Sequence, residues 1–229
     1  MLCYFHVGQI NHWRSVVAEL SLYCRQTRLL EECSEIRIGV AGASPKEATR
    51  VFGPQGRLVA CGPVSDYEFT TLRRLWLDAQ AGGDEPLLYF HTKGVSKRNC
   101  NSQSPSAHWR RYLAYWLIER RADALQAIQD GAELVGIEWI DQGEEIVWKT
   151  GHRQVSEYAH FSGNFWLASP DYVRRLPEPV NVGSRYDAEK WIGTGSPKRY
   201  ELFTTPHKHH YDAPILSAEY RDRSSGRWL

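Results

Sequence analysis

The stretch Leu87-Leu-Tyr-Phe-His-Thr-Lys-Gly94 decides the fold class of this chain. Its first four residues are apolar or aromatic, which predicts a strand buried on both faces, as in the centre of a parallel sheet. His91, Thr92 and Lys93 follow at the carboxyl end of that strand, where open α/β sheets bind ligands. Lys93 is a suitable point charge for a phosphate, and Gly94 lets the backbone turn sharply or approach a ligand closely. An ordinary strand end followed by a polar turn is the alternative interpretation.

Short apolar runs and helix-like patterns alternate on both sides of this strand. The other predicted strands cover residues 2–7, 36–40, 58–61, 134–137 and 160–168. The last of these strands is entered through a tight Ser-Gly-Asn turn. Such alternation is typical of α/β units around a largely parallel sheet, so the sequence predicts an α/β fold.

Helices are predicted between these strands. Asn11 can cap the first helix, and Ser65-Asp-Tyr-Glu68 has the form of a capping box before a helix that runs to about Ala81. The remaining predictions are a polar, mobile loop over 95–107, a long helix over 109–128, and short helices over 170–176 and 188–192.

The composition indicates a globular protein and excludes several functional classes. A length of 229 residues and a hydrophobic fraction of 42% fit one domain with a real core. With a net charge of +1 and no long cluster of Lys and Arg, the chain is not expected to bind nucleic acid. No apolar run approaches the ~20 residues of a membrane helix, and the first ten residues do not resemble a signal peptide.

The cysteines indicate a reduced compartment. They are Cys3, Cys24, Cys33, Cys61 and Cys100. Their number is odd and no two form a CxxC pair, which argues against a zinc ribbon or a disulfide framework. A cytoplasmic setting is therefore expected.

A second segment, His160-Phe-Ser-Gly-Asn-Phe-Trp-Leu-Ala168, has the composition of a sugar-binding surface. Its polar turn offers a hydroxyl, a bare backbone and a carboxamide side by side, and an adjacent ring can cover the apolar face of a pyranose. The acceptor-binding candidates are His160, Ser162, Gly163, Asn164 and Trp166. A strand that simply enters the core is the alternative for the rings.

A third segment supplies an acidic pair. Asp187 and Glu189 lie two residues apart where a helix is predicted to start. Either carboxylate is a candidate general base that takes the proton of an attacking hydroxyl. Their alternative role is to compensate the dipole at the helix N-terminus.

A fourth segment, Pro206-His-Lys-His-His-Tyr-Asp212, is rich in histidine. His207, His209 and His210 are the candidate metal or phosphate ligands, and a solvated loop is the alternative. The phosphate-binding GxxxxGK[ST] loop and the dinucleotide-binding GxGxxG fingerprint are both absent from the sequence, so a nicotinamide dehydrogenase is not expected.

The order of several motifs resembles a group of small glycosyltransferases. These motifs are HVGQINHWR, EFTTL, LLYFHTKGVS, HWRRYL, HFSGNFWLASPDYVRRLP and DAEKWIG, and they span residues 4 to about 193. The group has the GT-A fold, and it includes the domain that large algal viruses use to build capsid glycans, together with bacterial relatives.

This resemblance implies a GT-A-like architecture with a Rossmann-like, mostly parallel sheet and helices on both faces. A nucleotide-sugar-binding half of about residues 1–94 would meet an acceptor half of about 95–205, followed by a tail over 206–229. The residues that would contact the nucleotide sugar are His6, Val7, Gly8, His91, Thr92, Lys93 and Gly94. Ser162, Gly163 and Asn164 would line the acceptor side, and Asp187 and Glu189 would lie near the reacting centre.

The sequence departs from many GT-A enzymes in one respect. Those enzymes hold a divalent metal such as Mn or Mg with an Asp-x-Asp pair, and this chain contains no DxD. The nearest equivalents are Asp66-Tyr-Glu68, which helix capping explains equally well, and Asp187-Ala-Glu189. Lys93 can replace part of the work of the metal, because both neutralise a departing diphosphate. Metal dependence is therefore left open.

The predicted function is that of a hexosyl- or deoxyhexosyltransferase. It would move a sugar from a nucleotide-diphosphate sugar to a hydroxyl group of a glycan or polysaccharide. The alternatives are a nucleotidyltransferase on the same scaffold, which needs metal-binding carboxylates on a central strand, and a non-catalytic carbohydrate-binding module.

Overall fold

The computed structural model of the chain describes residues 1–33, 35–98, 101–221 and 227–228. Cys100, one of the five cysteines counted above, lies outside the described residues, as does residue 99 of the predicted loop over 95–107.

The described residues form one central sheet of eight strands and two small two-stranded sheets. The strands are β1 (Leu2–Gly8), β2 (Ile36–Ala41), β3 (Gly56–Gly62), β4 (Leu87–His91), β5 (Leu134–Gly136), β6 (Trp139–Ile140), β7 (Glu145–Val147), β8 (Arg153–Val155), β9 (His160–Phe161), β10 (Trp166–Ala168), β11 (Arg199–Glu201) and β12 (Arg227–Trp228). The central order is β12-β11-β5-β10-β4-β1-β2-β3, while β6 pairs with β9 and β7 with β8.

Most strands of the central sheet run in one direction. β4, β1, β2 and β3 are mutually parallel, and β5 is parallel to β11. β10 lies antiparallel between β4 and β5, and β12 lies antiparallel to β11. The prediction of a mostly parallel α/β sheet is confirmed, and the arrangement is consistent with a Rossmann-like fold.

Helices cover both faces of this sheet. The helices are α1 (Trp13–Gln26), α2 (Leu29–Glu32), α3 (Pro45–Arg50), α4 (Phe69–Gln80), α5 (Pro105–Ala114), α6 (Arg121–Gln129), α7 (Pro170–Arg175), α8 (Tyr186–Trp191) and α9 (Ser217–Tyr220). Successive side chains of a strand point to opposite faces. Accordingly Phe5 packs in one apolar cluster with Val17 of α1, and Tyr4 packs in the other with Leu72 of α4.

The single long helix predicted over 109–128 is interrupted. α5 begins at Pro105, inside the predicted loop, and Ser104 caps it by accepting a hydrogen bond from the backbone N–H of Ala107. A π-helical segment follows over Tyr115–Glu119, where the N–H of Arg120 donates to the carbonyl of Tyr115 (2.8 Å). The helix then restarts as α6.

Two predicted caps are wrong. α1 begins at Trp13 without a side-chain cap, and Asn11 instead donates from its amide to the carbonyl of Val95 (2.9 Å). Residues Val64–Asp66 form a 3₁₀ turn, and α4 also begins without a side-chain cap. The Ser-x-x-Glu pattern at 65–68 is therefore no capping box, and Glu68 has a different role described below.

The predicted strand over 160–168 is two short strands joined by a turn. β9 belongs to a small sheet, whereas β10 joins the central sheet. Gly163 and Asn164 have φ values of +97° and +55° in the turn between them. A Cβ at Gly163 would lie 2.7 Å from Leu113 Cδ1, so the turn needs glycine both for its backbone conformation and for its close packing on α5.

The segment after Pro206 is not a loose tail where the structure describes it. His210 is fully buried, and its ring packs against Trp109 and Tyr112 of α5. The buried carboxylate of Glu138 accepts hydrogen bonds from the Tyr112 hydroxyl (2.8 Å) and the Thr205 backbone N–H (3.0 Å), which fixes the start of this segment. In the part of the chain that the structure describes, none of the helices combines the length and apolar character needed to cross a membrane.

Candidate functional site

A cleft of about 530 Å³ opens at the carboxyl ends of β1 and β4. The predicted site residues that line it are His6, Gly8, His91, Thr92, Lys93, Gly94, His160, Ser162, Gly163, Glu189 and His209. Those that do not line it are Val7, Asn164, Trp166, Asp187, His207 and His210. Most residues predicted from the strand ends therefore share one cleft, because parallel strands bring their carboxyl ends to one edge of the sheet.

Lys93 is a buried cation at the bottom of this cleft, only 3% exposed. Its ammonium lies 4.1 Å from the ring centre of Trp109 and 5.0 Å from that of Tyr211. Burial alone would lower the pKa of Lys93, but Tyr211, then Glu189 and Glu68, raise it above its ordinary value. Among the described residues no carboxylate forms an ion pair with Lys93. The cleft therefore holds a permanent positive charge that an anionic ligand can complement.

A second lysine shares the ring of Tyr211. The Lys97 ammonium lies 4.6 Å from the centre of that ring, and both Lys97 and Tyr211 line the cleft. Neither residue was predicted as a site residue. Tyr211 is distant in sequence from both lysines and lies in an irregular segment. No local sequence pattern therefore predicts that its ring contacts them.

The two histidines at the strand ends are uncharged near neutral pH. Burial lowers the pKa of His6 to about 4, and burial together with the nearby Lys93 does the same for His91. His6 and His91 are register partners on the parallel strands β1 and β4. Neighbouring Thr92 accepts a hydrogen bond from the Gly8 backbone N–H (3.0 Å), so its hydroxyl hydrogen remains able to donate.

Glu68 is the most important cleft residue that sequence reasoning misassigned. Its side chain is 14% exposed and lines the cleft. One carboxylate oxygen, Oε2, accepts hydrogen bonds from the Tyr89 hydroxyl (2.7 Å) and the Asn164 amide (2.6 Å). The other, Oε1, lies 3.4 Å from His91 Nδ1. The only signal in the sequence was the acidic pair Asp66-Tyr-Glu68, which a capping role seemed to explain.

Asn164 and Trp166 lie behind Glu68 and not in the cleft. The Asn164 side chain donates to Glu68 and accepts a hydrogen bond from the Trp166 indole N–H (2.9 Å). The Trp166 ring is fully buried and stacks on Tyr89 with ring centres 4.9 Å apart. The predicted contact of Trp166 with an acceptor is therefore corrected, since the ring belongs to the core and supports Glu68 from below.

The structure separates the acidic pair of α8. Asp187 forms an ion pair with Lys190 (2.8 Å) and does not line the cleft. Glu189 does line the cleft, and within the described chain its carboxylate makes neither a hydrogen bond nor an ion pair. Burial and then the charge of Glu189 raise the pKa of Tyr158, another cleft residue. Of the two carboxylates, Glu189 is therefore the one available to a ligand.

Aromatic rings from the β7–β8 hairpin and from the C-terminal segment also line the cleft. Trp148, between β7 and β8, stacks on His209 with ring centres 4.1 Å apart and planes at 16°. Burial, followed by Lys93, lowers the pKa of His209 to about 3, so its ring is neutral. Thr150 donates from its backbone N–H (2.8 Å) and its hydroxyl (2.9 Å) to Asp212, which ties the β7–β8 hairpin to the C-terminal segment.

The three candidate metal-binding histidines do not converge. His207 Nδ1 donates to the carbonyl of Val147 (3.1 Å), and His210 Nε2 lies 3.4 Å from the buried Glu138 carboxylate. His209 packs against Trp148. Within the described ranges no three His, Cys, Asp or Glu side chains are grouped to hold a metal ion. The histidines offer a metal no common site.

Comparison with known proteins assigns no family. Neither the family models nor the curated proteins with which the chain was compared match it.

Proposed function

We propose that this protein is a glycosyltransferase that moves one sugar from a nucleoside-diphosphate sugar to a hydroxyl group of a glycan or polysaccharide acceptor. The observation that carries the proposal is Lys93, a buried cation that faces the cleft without forming an ion pair among the described residues. A buried charge is costly unless it is compensated, so such a site is suited to an anion.

A diphosphate is the anion that the surroundings favour. Lys97 adds a second positive charge within the same cleft, and Thr92 can donate a hydrogen bond. A volume of about 530 Å³ lies within the range of pockets that bind small molecules and cofactors. The rings of Trp148 and Tyr158 add flat surfaces of the kind that cover the apolar face of a sugar.

The proposed reaction begins when the acceptor hydroxyl oxygen attacks the anomeric carbon of the donor sugar. The bond between that carbon and the diphosphate oxygen breaks, and its electron pair leaves with the diphosphate. Lys93 stabilises the charge that develops on the leaving group. If the configuration inverts, Glu189 takes the proton of the attacking hydroxyl. If it is retained, the departing phosphate can take that proton.

The residues of the cleft do not provide the acidic pair that many GT-A enzymes use for a divalent metal. Glu68 and Glu189 line the cleft, but their pair partners Asp66 and Asp187 do not. No step of the proposed reaction is therefore routed through a metal. The need for Mn or Mg is tested directly by the assay below.

The four described thiols, Cys3, Cys24, Cys33 and Cys61, are all free. Free thiols are typical of reducing compartments, which supports the further proposal of a cytoplasmic enzyme.

Two experiments test the proposal. The first is a thermal shift with UDP, GDP and their sugar conjugates, in which a ligand at 100 times its dissociation constant stabilises a protein by about 2.7 kcal/mol. The second is a donor-hydrolysis screen over common sugar nucleotides with and without manganese. A carbohydrate-binding module would respond to glycans and ignore all nucleotides, and that outcome would contradict the proposal.

A further inference from the structure

The two oxygens of the Glu68 carboxylate have different surroundings. Oε2 accepts two hydrogen bonds, from Tyr89 at 2.7 Å and from Asn164 at 2.6 Å. Apart from His91 Nδ1 at 3.4 Å, no side chain of the described residues forms a hydrogen bond or ion pair with Oε1. A charge-assisted N–H···O bond is about 2.7–2.9 Å long, so the contact with His91 is not a strong one.

The hydrogen bonds of His91 explain why this contact is long. Its Nε2 lies 2.9 Å from the carbonyl oxygen of Gly163, which can only accept, so Nε2 carries a hydrogen. Burial keeps the ring neutral, with a pKa of about 4. A neutral ring with its hydrogen on Nε2 has a lone pair on Nδ1. Glu68 Oε1 and His91 Nδ1 are therefore two neighbouring acceptors with no donor between them.

Such a pair matches a ligand with two adjacent donors. Both Glu68 and His91 line the cleft, and Lys93, the residue proposed to hold the diphosphate, follows His91 by two positions on the same strand end. A sugar attached to a diphosphate at Lys93 would therefore share the cleft with these acceptors. Buried polar groups that are built to bind substrate hydroxyls discriminate strongly against analogues that lack them.

We propose that Glu68 Oε1 and His91 Nδ1 accept hydrogen bonds from two adjacent hydroxyl groups of the donor sugar, which makes Glu68 a specificity-determining residue. The inference rests on the proposed function and adds the class of donor to it, a sugar nucleotide with two free hydroxyls on neighbouring carbons. Tyr89 and Asn164 are positioning residues, because they hold the carboxylate without lining the cleft, and Trp166 in turn holds Asn164.

The variant Glu68→Gln separates this role from a structural one. The glutamine oxygen can accept the hydrogen bonds of Tyr89 and Asn164, while its amide nitrogen can donate to His91 Nδ1. The fold is therefore preserved, and the melting temperature is expected to be equal to or above that of the wild type. Both acceptors are lost to the ligand, because the amide occupies one position and satisfies the other.

The expected result is that kcat/KM for the sugar nucleotide falls at least tenfold in Glu68→Gln, whereas the affinity for UDP or GDP alone changes less than twofold. The matched control is Glu31→Gln, which removes the same charge from an exposed residue of α2 outside the cleft and should leave both quantities within about twofold. A Glu68→Gln protein with unchanged kcat/KM, or with equally weakened binding of nucleotide and sugar nucleotide, would overturn the inference.

A second measurement changes the donor sugar instead of the protein. Deoxy analogues of the donor sugar, each lacking one hydroxyl, are assayed with the wild type and with Glu68→Gln. For the hydroxyl that contacts Glu68, its removal from the donor should lower kcat/KM strongly in the wild type and only slightly in the variant. Equal losses in both proteins would contradict the assignment.

The two proposals fail in different ways. If the wild type binds no nucleoside diphosphate, the proposed function fails and the donor assignment fails with it. If nucleotides bind and transfer occurs but Glu68→Gln has the kcat/KM of the wild type, only the assignment of Glu68 fails.

Discussion

The floor of the cleft and its outer wall are built in different ways. The floor is formed by the ends of β1 and β4, where His6, His91 and Lys93 are all less than 8% exposed. The outer wall is formed by α8, the β7–β8 hairpin and the residues that follow β8. Glu157 and Tyr186 are exposed there, and Glu189 is half-buried. A buried floor fixes charge and proton positions before a ligand arrives, whereas a half-exposed wall supplies groups that water and substrate can reach. Under the proposed function, anion binding falls to the floor and proton transfer to the wall.

The largest expected effect concerns the protonation state of the floor. The pKa values of His6 and His91 are about 4 in the folded protein, below the ordinary value of 6.5, so the unfolded chain binds more protons between these values. The part of the unfolding free energy that depends on these two histidines is therefore fully present above pH 6.5, and it is lost as the pH falls towards 4. Each histidine contributes roughly 3 kcal/mol to this loss.

Urea unfolding between pH 7.5 and 4 measures this effect. The pH slope of the unfolding free energy should correspond to an uptake of at least two protons, and NMR should show both histidines neutral at pH 6. A flat profile would mean that the floor histidines are charged or exposed, and the contrast between floor and wall would be lost.

The next effect is on activity, through the buried cation. Lys93→Met keeps the volume of the side chain and removes its charge. We expect kcat to fall by about 10²–10³, as when one transition-state hydrogen-bond donor is removed, while the melting temperature does not decrease. The control is Lys46→Met on α3, outside the cleft, which should change kcat less than threefold. Unchanged transfer by Lys93→Met, at sugar nucleotide below KM, would remove Lys93 from the mechanism.

The two carboxylates of α8 give the third effect. If the configuration inverts, Glu189→Gln should reduce kcat by about 10²-fold or more, because the general base is lost. Asp187→Asn weakens only a partly exposed ion pair with Lys190 and should stay within twofold of the wild type. Single-turnover assays with an NMR readout of the anomeric configuration check both points. A larger loss in Asp187→Asn would reverse the assignment of the base.

The smallest effect concerns how the wall is held. Thr150→Val removes the hydroxyl bond from the hairpin to Asp212 and retains the backbone bond. We expect KM for the sugar nucleotide to rise by about fivefold, which is the equivalent of roughly 1 kcal/mol for one hydrogen bond. Thr49→Val removes a hydroxyl bond on α3, away from the cleft, and serves as the matched control. Equal KM values in the two variants would show that the hydroxyl bond from Thr150 to Asp212 does not position the hairpin for substrate binding.

The sequence predicts the floor far better than the wall. The apolar run of β4 and its polar end identify the floor, because strand period and strand-end chemistry are local properties. The place of Glu68 in the cleft could not be predicted in this way. Its partner Asn164 lies 96 positions away, and its own sequence pattern resembles a capping box. Trp148 and Tyr211 belong to irregular segments whose positions depend on tertiary contacts such as the Thr150–Asp212 bonds. The break at Tyr115–Glu119 is likewise invisible in a continuous helical pattern.

The insertion of antiparallel β10 between β4 and β5 has a consequence for how the chain assembles. The four strands that end at β4 are consecutive in sequence and can pair as soon as they are synthesised, but the free edge of β4 receives its partner only when residues 166–168 arrive. Until then a largely apolar strand presents unpaired backbone groups, a template for association with other nascent chains. The N-terminal 94 residues by themselves therefore leave the edge of β4 open, and pairing with residues 166–168 closes it.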